Sequence, residues 1–244
     1  RRQLTQLKQL DRLKSDFLGL ISHKLRTPTT SISLFIQNLV SGAFDKEDPG
    51  FASAVDAIRK ESEYLASLIQ DLLYYSDIIL QDSESKTSQE NLKEITAKIV
   101  TERRQALRQN NQTLHIELAD EWPPMTVDRR RIELALGAIL DNAIKFTPSG
   151  GEITLSGEQS AGEFSLTISD NGPGIAPEEM GKVFEKFYQV DPNRTGQIRG
   201  FGLGLFYARQ FVRDHGGEIN LESSLGHGTS VTVRLPRPAL RQSD

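Results

Sequence analysis

The sequence predicts an α+β protein in two parts, a helical hairpin followed by an α/β sandwich with helices on one face of a sheet. In the first third of the chain, apolar residues recur every three or four positions, which is typical of amphipathic helices. After about residue 91, helical segments alternate with segments in which apolar and polar residues alternate singly, as in half-buried strands. This mixture of helices and antiparallel strands favours an α+β sandwich.

The composition is that of a soluble, globular protein. Of the 244 residues, 37% are hydrophobic and 25% are charged, and the net charge of −4 gives no reason to expect nucleic-acid binding. The absence of cysteine excludes disulfides and thiol catalysis and fits a cytoplasmic location. The four histidines are scattered, with no pair at the spacing of zinc ligands. No apolar run approaches the roughly 20 residues that span a bilayer, so we expect no direct membrane insertion of this chain.

Two long helices are predicted in the first part. One extends from Leu4 to about Ser41 and the other from Phe51 to Ile79, and the intervening SGAFDKEDPG is typical of a turn. Because two helices alone have too few neighbours to bury such wide apolar stripes, we expect two hairpins to pair as a four-helix bundle, which predicts a homodimer. The regularly spaced leucines at the start also suit a coiled coil continuing from an upstream sensor module.

A polar, non-periodic stretch, QDSESKTSQEN at 81–91, predicts a linker and gives domains at 1–85 and 86–240. GEITLSGEQ and GEFSLTISD are expected to be adjacent antiparallel strands. The other elements predicted in this domain are a helix at 91–109, a strand TLHIEL, helices at 127–146 and 204–214, and a closing hairpin of GGEINLESS and GTSVTVRLP.

Three short segments have the chemistry of a nucleotide site. In DNGPGI, Asp170 follows a strand and offers an acceptor beside backbone that a planar ligand can approach closely. In LDNAIKFTPSGG, Asn142 and Lys145 share a helical face, and an amide oxygen can ligate Mg²⁺ while an ammonium can meet phosphate. RGFGLGL places glycines at a helix start, where exposed N–H groups suit phosphate. Each segment alone is a weak signal, because glycine turns are common.

Six segments occur in a characteristic order: SHKLRTP, DNAIKFTP, DNGPGI, FEKFYQVD, GFGLGL and HGGEINLESSLGHGTSVTVRLP. They resemble the H, N, G1, F and G2 boxes and the C-terminal segment of bacterial sensor histidine kinases of two-component systems. The likeness extends from about residue 10 to 237, and six ordered boxes are far more specific than any one of them. The resemblance implies a dimerisation and histidine-phosphotransfer hairpin followed by a Bergerat-type ATP-binding domain.

The resemblance also implies roles for individual residues in binding ATP and Mg²⁺. Asp170 would bind the adenine amino group, Asn142 would hold Mg²⁺, and Lys145 would lie near the phosphates or the ribose. Thr229 matches the family threonine near the adenine. The glycines that would shape the pocket and its lid are Gly172, Gly174, Gly200, Gly202 and Gly204.

The lid would be YQVDPNRTGQIRG, braced by Phe184 and Phe187. Its two arginines, Arg194 and Arg199, could meet phosphate according to the resemblance. The alternative, that both are solvated loop charges, stays open.

His23 would be the phosphoacceptor according to the resemblance. Pro28 lacks an N–H group, so we expect a bend just after His23, which in this family lets the helix flex. Thr27 lies one turn past His23 on the same face, where the family residue orients the water that dephosphorylates the partner regulator. The alternative is that Thr27 and Pro28 are ordinary helix-breaking residues without a catalytic role.

Lys24 departs from the family pattern, which has Glu or Asp directly after the phosphoacceptor. That acid is thought to take the imidazole proton, and a protonated lysine cannot accept it. General-base catalysis typically contributes roughly 10²–10⁴-fold, so autophosphorylation could be slower than usual.

The leading hypothesis is therefore ATP-dependent phosphorylation of His23, followed by transfer to an aspartate in the receiver domain of a response regulator. The alternative is a regulatory module with weak autokinase activity, acting as a phosphatase or scaffold because of Lys24. A third class, the chaperone, topoisomerase and mismatch-repair ATPases, shares the ATP-binding fold, but the SHKLRTP hairpin argues against it.

Overall fold

The computed structural model describes residues 2–42, 48–80, 86–119, 122, 124–160, 162–190 and 200–236. The chain divides between Ile79 and Leu80 into two compact units. Within the described residues, no helix combines the length and the apolar character needed to cross a membrane.

The first unit consists of two long helices, α1 at Arg2–Val40 and α2 at Pro49–Leu80. The backbone stays helical through Pro28, whose side chain is buried. Asp48 caps the start of α2, because its Oδ1 accepts a hydrogen bond from Gly50 N–H over 2.7 Å. The two helices predicted from the apolar periodicity are thus both present.

The second unit contains a five-stranded sheet with helices packed on one face, together with a separate two-stranded sheet. Its elements, in chain order, are β1 Ser88–Glu90, α3 Leu92–Gln109, β2 Thr113–Leu118, β3 Met125–Val127, α4 Arg129–Phe146, β4 Glu152–Gln159, β5 Glu163–Asp170, α5 Pro177–Met180, α6 Gly204–Asp214, β6 Glu218–Ser224 and β7 Gly228–Pro236. The strand order in the large sheet is β2-β4-β5-β7-β6.

The core lies between this sheet and helices α3, α4 and α6. Alternate residues of β5 point into it, with Phe164, Leu166 and Ile168 all buried. On the other face the strands carry hydroxyls, and Thr167 and Thr232 form a cross-strand hydrogen bond of 3.0 Å. The predicted α+β sandwich is confirmed, as are the antiparallel pairing of β4 with β5 and the closing hairpin of β6 and β7.

Three local features differ from the sequence-based expectation. The stretch predicted as a linker contains β1, which pairs antiparallel with β3 through Ser88 and Val127. Three-residue strands are too short to show an alternating pattern. β2 and β4 run parallel, because the chain returns along α4 between them. Helix α4 begins at Arg129, two residues later than expected, because the Asp128 side chain caps it by accepting from Arg131 N–H over 3.1 Å.

Candidate active site

Asp170 stands at the end of β5, where the strand leaves the sheet. Its Oδ1 accepts a hydrogen bond from Gly172 N–H over 2.9 Å. Burial raises the pKa of the Asp170 carboxyl, and backbone hydrogen bonds from Gly172 and Thr229 oppose part of that rise. The result is a half-buried acceptor held in one orientation by the backbone that follows it.

The DNGPGI turn packs tightly against two other elements. A Cβ at Gly172 would lie 2.8 Å from the carbonyl oxygen of Phe146, the last residue of α4. Gly174 has φ +69°, and a Cβ there would collide with the carbonyl oxygen of Ser224 at the end of β6. The turn therefore needs glycine both for its backbone conformation and for its close approach to the β6–β7 hairpin.

Ser223, which the sequence reasoning missed, joins this turn to the hairpin. Ile175 N–H donates to Ser223 Oγ over 2.8 Å, and Ser223 Oγ donates to the Gly228 carbonyl over 2.7 Å. The two hydroxyls of Ser223 and Thr229 are 3.0 Å apart. A signal existed in the sequence, because Ser223 falls at the inward position of β6 two residues after buried Leu221.

The strand register brings Asp170, Thr229 and Ser223 into one row. Thr229 pairs with Asp170 across β5 and β7, and with Ser223 across β7 and β6. Residues directly opposite in antiparallel strands have side chains on the same face, so all three point to the side covered by the helices. Asp170 and Thr229, both predicted as site residues, therefore lie side by side.

Asn142 and Lys145 lie one turn apart near the end of α4. Asn142 is half-buried, and Lys145 is exposed with its ammonium 5.1 Å from the centre of the Phe146 ring. The neighbouring Asp141 is held by a two-pronged ion pair with Arg103 of α3, at 2.7 and 2.8 Å. That pairing directs the Asp141 carboxylate to α3 and leaves the Asn142 amide as the metal-binding oxygen expected on this turn.

The donor set fits a nucleotide-bound Mg²⁺ better than a protein-held metal ion. Within the described ranges, no group of three or more His, Cys, Asp or Glu side chains could hold a metal. Mg²⁺ usually keeps several waters and takes one or two protein ligands together with substrate phosphates. One amide oxygen at Asn142, one turn before the Phe146 carbonyl that the glycine turn approaches, is compatible with that chemistry.

The two ends of the predicted lid are hydrogen-bonded to each other. Phe187 N–H donates to the Gly202 carbonyl over 3.0 Å, and Gln189 Nε2 donates to the Gly200 carbonyl over 2.9 Å. Gly202 has φ +72°, and a Cβ there would collide with the Tyr188 carbonyl. These contacts hold residues 187–189 against residues 200–202. Arg194 and Arg199 lie outside the described residues.

Helix α6 begins at Gly204, as predicted, and packs on α4. A Cβ at Gly204 would lie 3.4 Å from the Cβ of Ala138, so an alanine there would just touch Ala138 and only a larger side chain would push the helices apart. Phe184 is buried, and its carbonyl accepts from Arg209 of α6 over 3.1 Å while the Arg209 guanidinium lies 4.9 Å from its ring centre. The F box and the second glycine box are therefore anchored on one helix.

His215 at the C-cap of α6, also missed from sequence, joins that helix to the start of α4. Its Nε2 accepts from Asp128 N–H over 2.8 Å, and its Nδ1 lies 2.6 Å from the Phe211 carbonyl. Both partners are satisfied by the tautomer with hydrogen on Nδ1. Arg131 and Asp214 add an ion pair of 3.0 Å between the same two helix ends.

The residues of the SHKLRTP segment lie on α1 in the first unit. His23 is exposed, and the Thr27 hydroxyl donates to the His23 carbonyl over 3.2 Å. Lys24 is half-buried, and burial lowers the pKa of its ammonium while the charge of Asp71 on α2 partly opposes that shift. Asp71 was not anticipated, because a residue 47 positions away in the chain gives no local signal of its proximity.

Comparison with protein families matches both units. Residues 127–239 match the model described as histidine kinase-, DNA gyrase B- and HSP90-like ATPase. Residues 13–81 match the His Kinase A (phospho-acceptor) domain. The presence of the phosphoacceptor domain distinguishes the chain from ATPases that share only the nucleotide-binding fold.

Individual relatives agree with these matches. Sensor protein SrrB of Staphylococcus aureus is 32% identical over 240 residues, covering 97% of this chain and 40% of SrrB. The chain thus spans about two fifths of the length of the curated relatives it matches. Histidine kinase AdeS of Acinetobacter baumannii superposes with a TM-score of 0.64 at 26% identity, covering 88% of this chain and 98% of AdeS.

A further solved structure supports the fold alone. Histidine kinase ThkA, in a complex with response regulator protein TrrA, superposes with a TM-score of 0.71 at 23% identity, covering 96% of this chain and 66% of ThkA. Together with the two domain matches, the ordered boxes and the sandwich architecture, these likenesses confirm the resemblance seen in the sequence. The chain belongs to the bacterial sensor histidine kinases and contains the phosphoacceptor helices and the ATP-binding domain of that family.

Proposed function

We propose that this chain is the catalytic core of a sensor histidine kinase, which uses ATP to phosphorylate His23 and passes the phosphoryl group to a response regulator. The observation that carries the proposal is the presence, in one chain, of an exposed helical histidine and a half-buried carboxylate beside a glycine turn. The first supplies a nucleophile and the second an acceptor for the adenine amino group. Domains at 1–85 and 86–240 would divide these tasks.

The two transfers are balanced substitutions at phosphorus. A neutral imidazole nitrogen of His23 forms a bond to the γ-phosphorus while the bond to the bridging oxygen of ADP breaks. The ring then loses the proton on its other nitrogen. In the second transfer an aspartate oxygen of the receiver domain forms the new bond, the phosphorus–nitrogen bond breaks, and the imidazole regains a proton.

Within the ATP-binding domain, each residue keeps the role that the family pattern gives it. Asp170 and Thr229 would bind the adenine edge, and Lys145 would lie near the phosphates or the ribose. When bound, Mg²⁺ would neutralise phosphate charge, held by the amide oxygen of Asn142. The glycine segments give the nucleotide close access to backbone N–H groups. The glycines concerned are Gly172, Gly174, Gly200, Gly202 and Gly204.

In the first unit, Thr27 would orient a water for regulator dephosphorylation, and Lys24 would set the rate of autophosphorylation.

The chain would act as a homodimer, because both helices carry apolar side chains that are about half exposed. These are Leu34 and Ile36 on α1 and Val55, Ile69 and Leu73 on α2. We place this core in the cytoplasm, downstream of a sensor module.

A labelling assay tests the proposal. Incubation with γ-labelled ATP and Mg²⁺ is expected to give acid-labile, alkali-stable label on the chain, and His23→Gln should abolish it while leaving nucleotide affinity unchanged. Label must then move to a receiver domain when one is added. Steady ATP hydrolysis without a phosphoprotein would contradict the proposal. Intact nucleotide binding without label would favour a phosphatase or scaffold.

A further inference from the structure

The Ser223 hydroxyl takes part in three hydrogen bonds at the nucleotide-binding end of the sheet. It accepts from Ile175 N–H at 2.8 Å, lies 2.7 Å from the Gly228 carbonyl oxygen and lies 3.0 Å from Thr229 Oγ1. A hydroxyl has one hydrogen to donate and two lone pairs that accept. The three contacts can form together only if Ser223 donates in one of them and accepts in the other two.

That assignment is unique. The Gly228 carbonyl can only accept, so it takes the single hydrogen of Ser223. Ile175 N–H occupies one lone pair of Ser223 Oγ, and the other lone pair is left for Thr229. Thr229 must therefore donate its hydroxyl hydrogen to Ser223. Away from Ser223, its oxygen presents lone pairs alone and acts as an acceptor.

Thr229 is also the neighbour of Asp170, which fixes what this acceptor faces. The two residues are directly opposite each other across β5 and β7, and both are half-buried on the helix-facing side of the sheet. The Asp170 carboxylate is itself an acceptor, already oriented by Gly172 N–H. The row formed by Asp170, Thr229 and Ser223 therefore offers two adjacent acceptors to whatever binds there.

We propose that Ser223 determines nucleotide specificity by holding the Thr229 hydroxyl as an acceptor, so that the site selects ATP over GTP. The inference rests on the proposed function, in which the adenine amino group lies on Asp170. The 6-amino group of adenine has two hydrogens and can satisfy both acceptors, the second directly or through a water. Guanine carries a carbonyl oxygen at that position, which can donate to neither acceptor, and its nearest hydrogen lies on the adjacent ring nitrogen N1.

Ser223→Ala tests this selection, because it leaves the Thr229 hydroxyl free to rotate and donate to a carbonyl. Dissociation constants of the full chain for ATP, GTP and ITP are measured by calorimetry. We expect the dissociation constant for GTP divided by that for ATP, here called the GTP-to-ATP ratio, to fall by about tenfold in the variant. Loss of one oriented hydrogen bond implies a change of that size. ITP has the same carbonyl without the 2-amino group, so its ratio to ATP should fall together with that of GTP.

Three further variants separate specificity from packing. Thr229→Val removes the acceptor but keeps the shape, and it should also lower the GTP-to-ATP ratio. Ser223→Thr keeps the hydroxyl and should keep the ratio. Ser230→Ala removes a hydroxyl pair of similar length, 2.8 Å to Ser169, on the opposite face of the sheet and should leave the ratio unchanged.

The outcomes distinguish this inference from the proposal beneath it. If the parent chain binds ATP and the ratio is unchanged in both Ser223→Ala and Thr229→Val, the inference is overturned and Ser223 is only structural. If Ser223→Ala does not fold, an unchanged ratio in Thr229→Val alone overturns it. A parent chain that binds neither nucleotide overturns the proposed function and the inference together.

Discussion

The phosphoacceptor segment and the nucleotide pocket are built in different ways. One turn after His23, the Thr27 hydroxyl makes a local hydrogen bond to the carbonyl four residues earlier in the same helix. Around Asp170, the contacts join strands and turns that are far apart in the chain, such as Ile175 with Ser223 across 48 positions. An exposed nucleophile needs access, whereas a binding pocket needs oriented groups, and orientation comes from long-range contacts.

This difference predicts that single substitutions in the pocket cost more than those beside the histidine. Asp170→Asn replaces a carboxylate that accepts backbone hydrogen bonds by an amide whose NH₂ group can only donate. We expect ATP affinity to fall by about 10²-fold or more, as for removal of a charged hydrogen-bond partner. Calorimetry with ATP measures the change.

The matched control for Asp170→Asn is Asp141→Asn. Asp141 is an exposed carboxylate on α4, next to Asn142, that is paired with Arg103. Because exposed ion pairs contribute only about 0–1 kcal/mol, ATP affinity should change by no more than a few-fold. Equal losses of affinity in the two variants would mean that the pocket responds to net charge and that Asp170 has no specific role.

Gly174→Ala sharpens the comparison through the backbone. The added Cβ would sit at φ +69° and collide with the Ser224 carbonyl, so we expect a loss of about 2–4 kcal/mol in the free energy of unfolding of the ATP-binding domain. Urea unfolding measures it. Gly181→Ala is the control, because a Cβ there meets nothing within 4 Å, and its unfolding free energy should change by less than about 0.5 kcal/mol. Similar urea unfolding curves for the two variants would contradict the close approach of Gly174 to the Ser224 carbonyl.

Lys24→Glu is expected to have the smallest effect, and in the favourable direction. It supplies an acceptor for the imidazole proton, so the initial rate of labelling by ATP should rise by about tenfold, below the usual range for general-base help. The gain is limited because Asp71 acts on the charge at position 24 and would repel a second carboxylate. Adding Asp71→Asn should therefore raise the rate further.

Lys24→Gln provides the control, since it removes the positive charge without adding a base. A rate increase as large as that of Lys24→Glu would show that charge alone slows the reaction. An unchanged rate in Lys24→Glu would remove Lys24 from the explanation of autokinase activity altogether.

The sequence was a good guide wherever structure repeats over short distances. The long helices of the first unit, the strands β4 to β7 and the start of α6 follow from apolar periodicity within each segment. It failed for β1 and β3, since three residues are too few to show alternation. It also missed His215, whose partner Asp128 lies 87 positions away.

Taken alone, the sequence determined the kinase family, the α+β class and the identity of His23 and Asp170 as the candidate chemical groups, because local patterns and ordered motifs carry that information. Only the tertiary structure decided that Ser223 lies in hydrogen-bond contact with Thr229, that Asp71 acts on Lys24 and that β2 runs parallel to β4. Each of these depends on which distant segments pack together. Packing of distant segments is a property of the whole folded chain, because the spacing of neighbouring residues can show which side chains point inward but not which distant residues they meet.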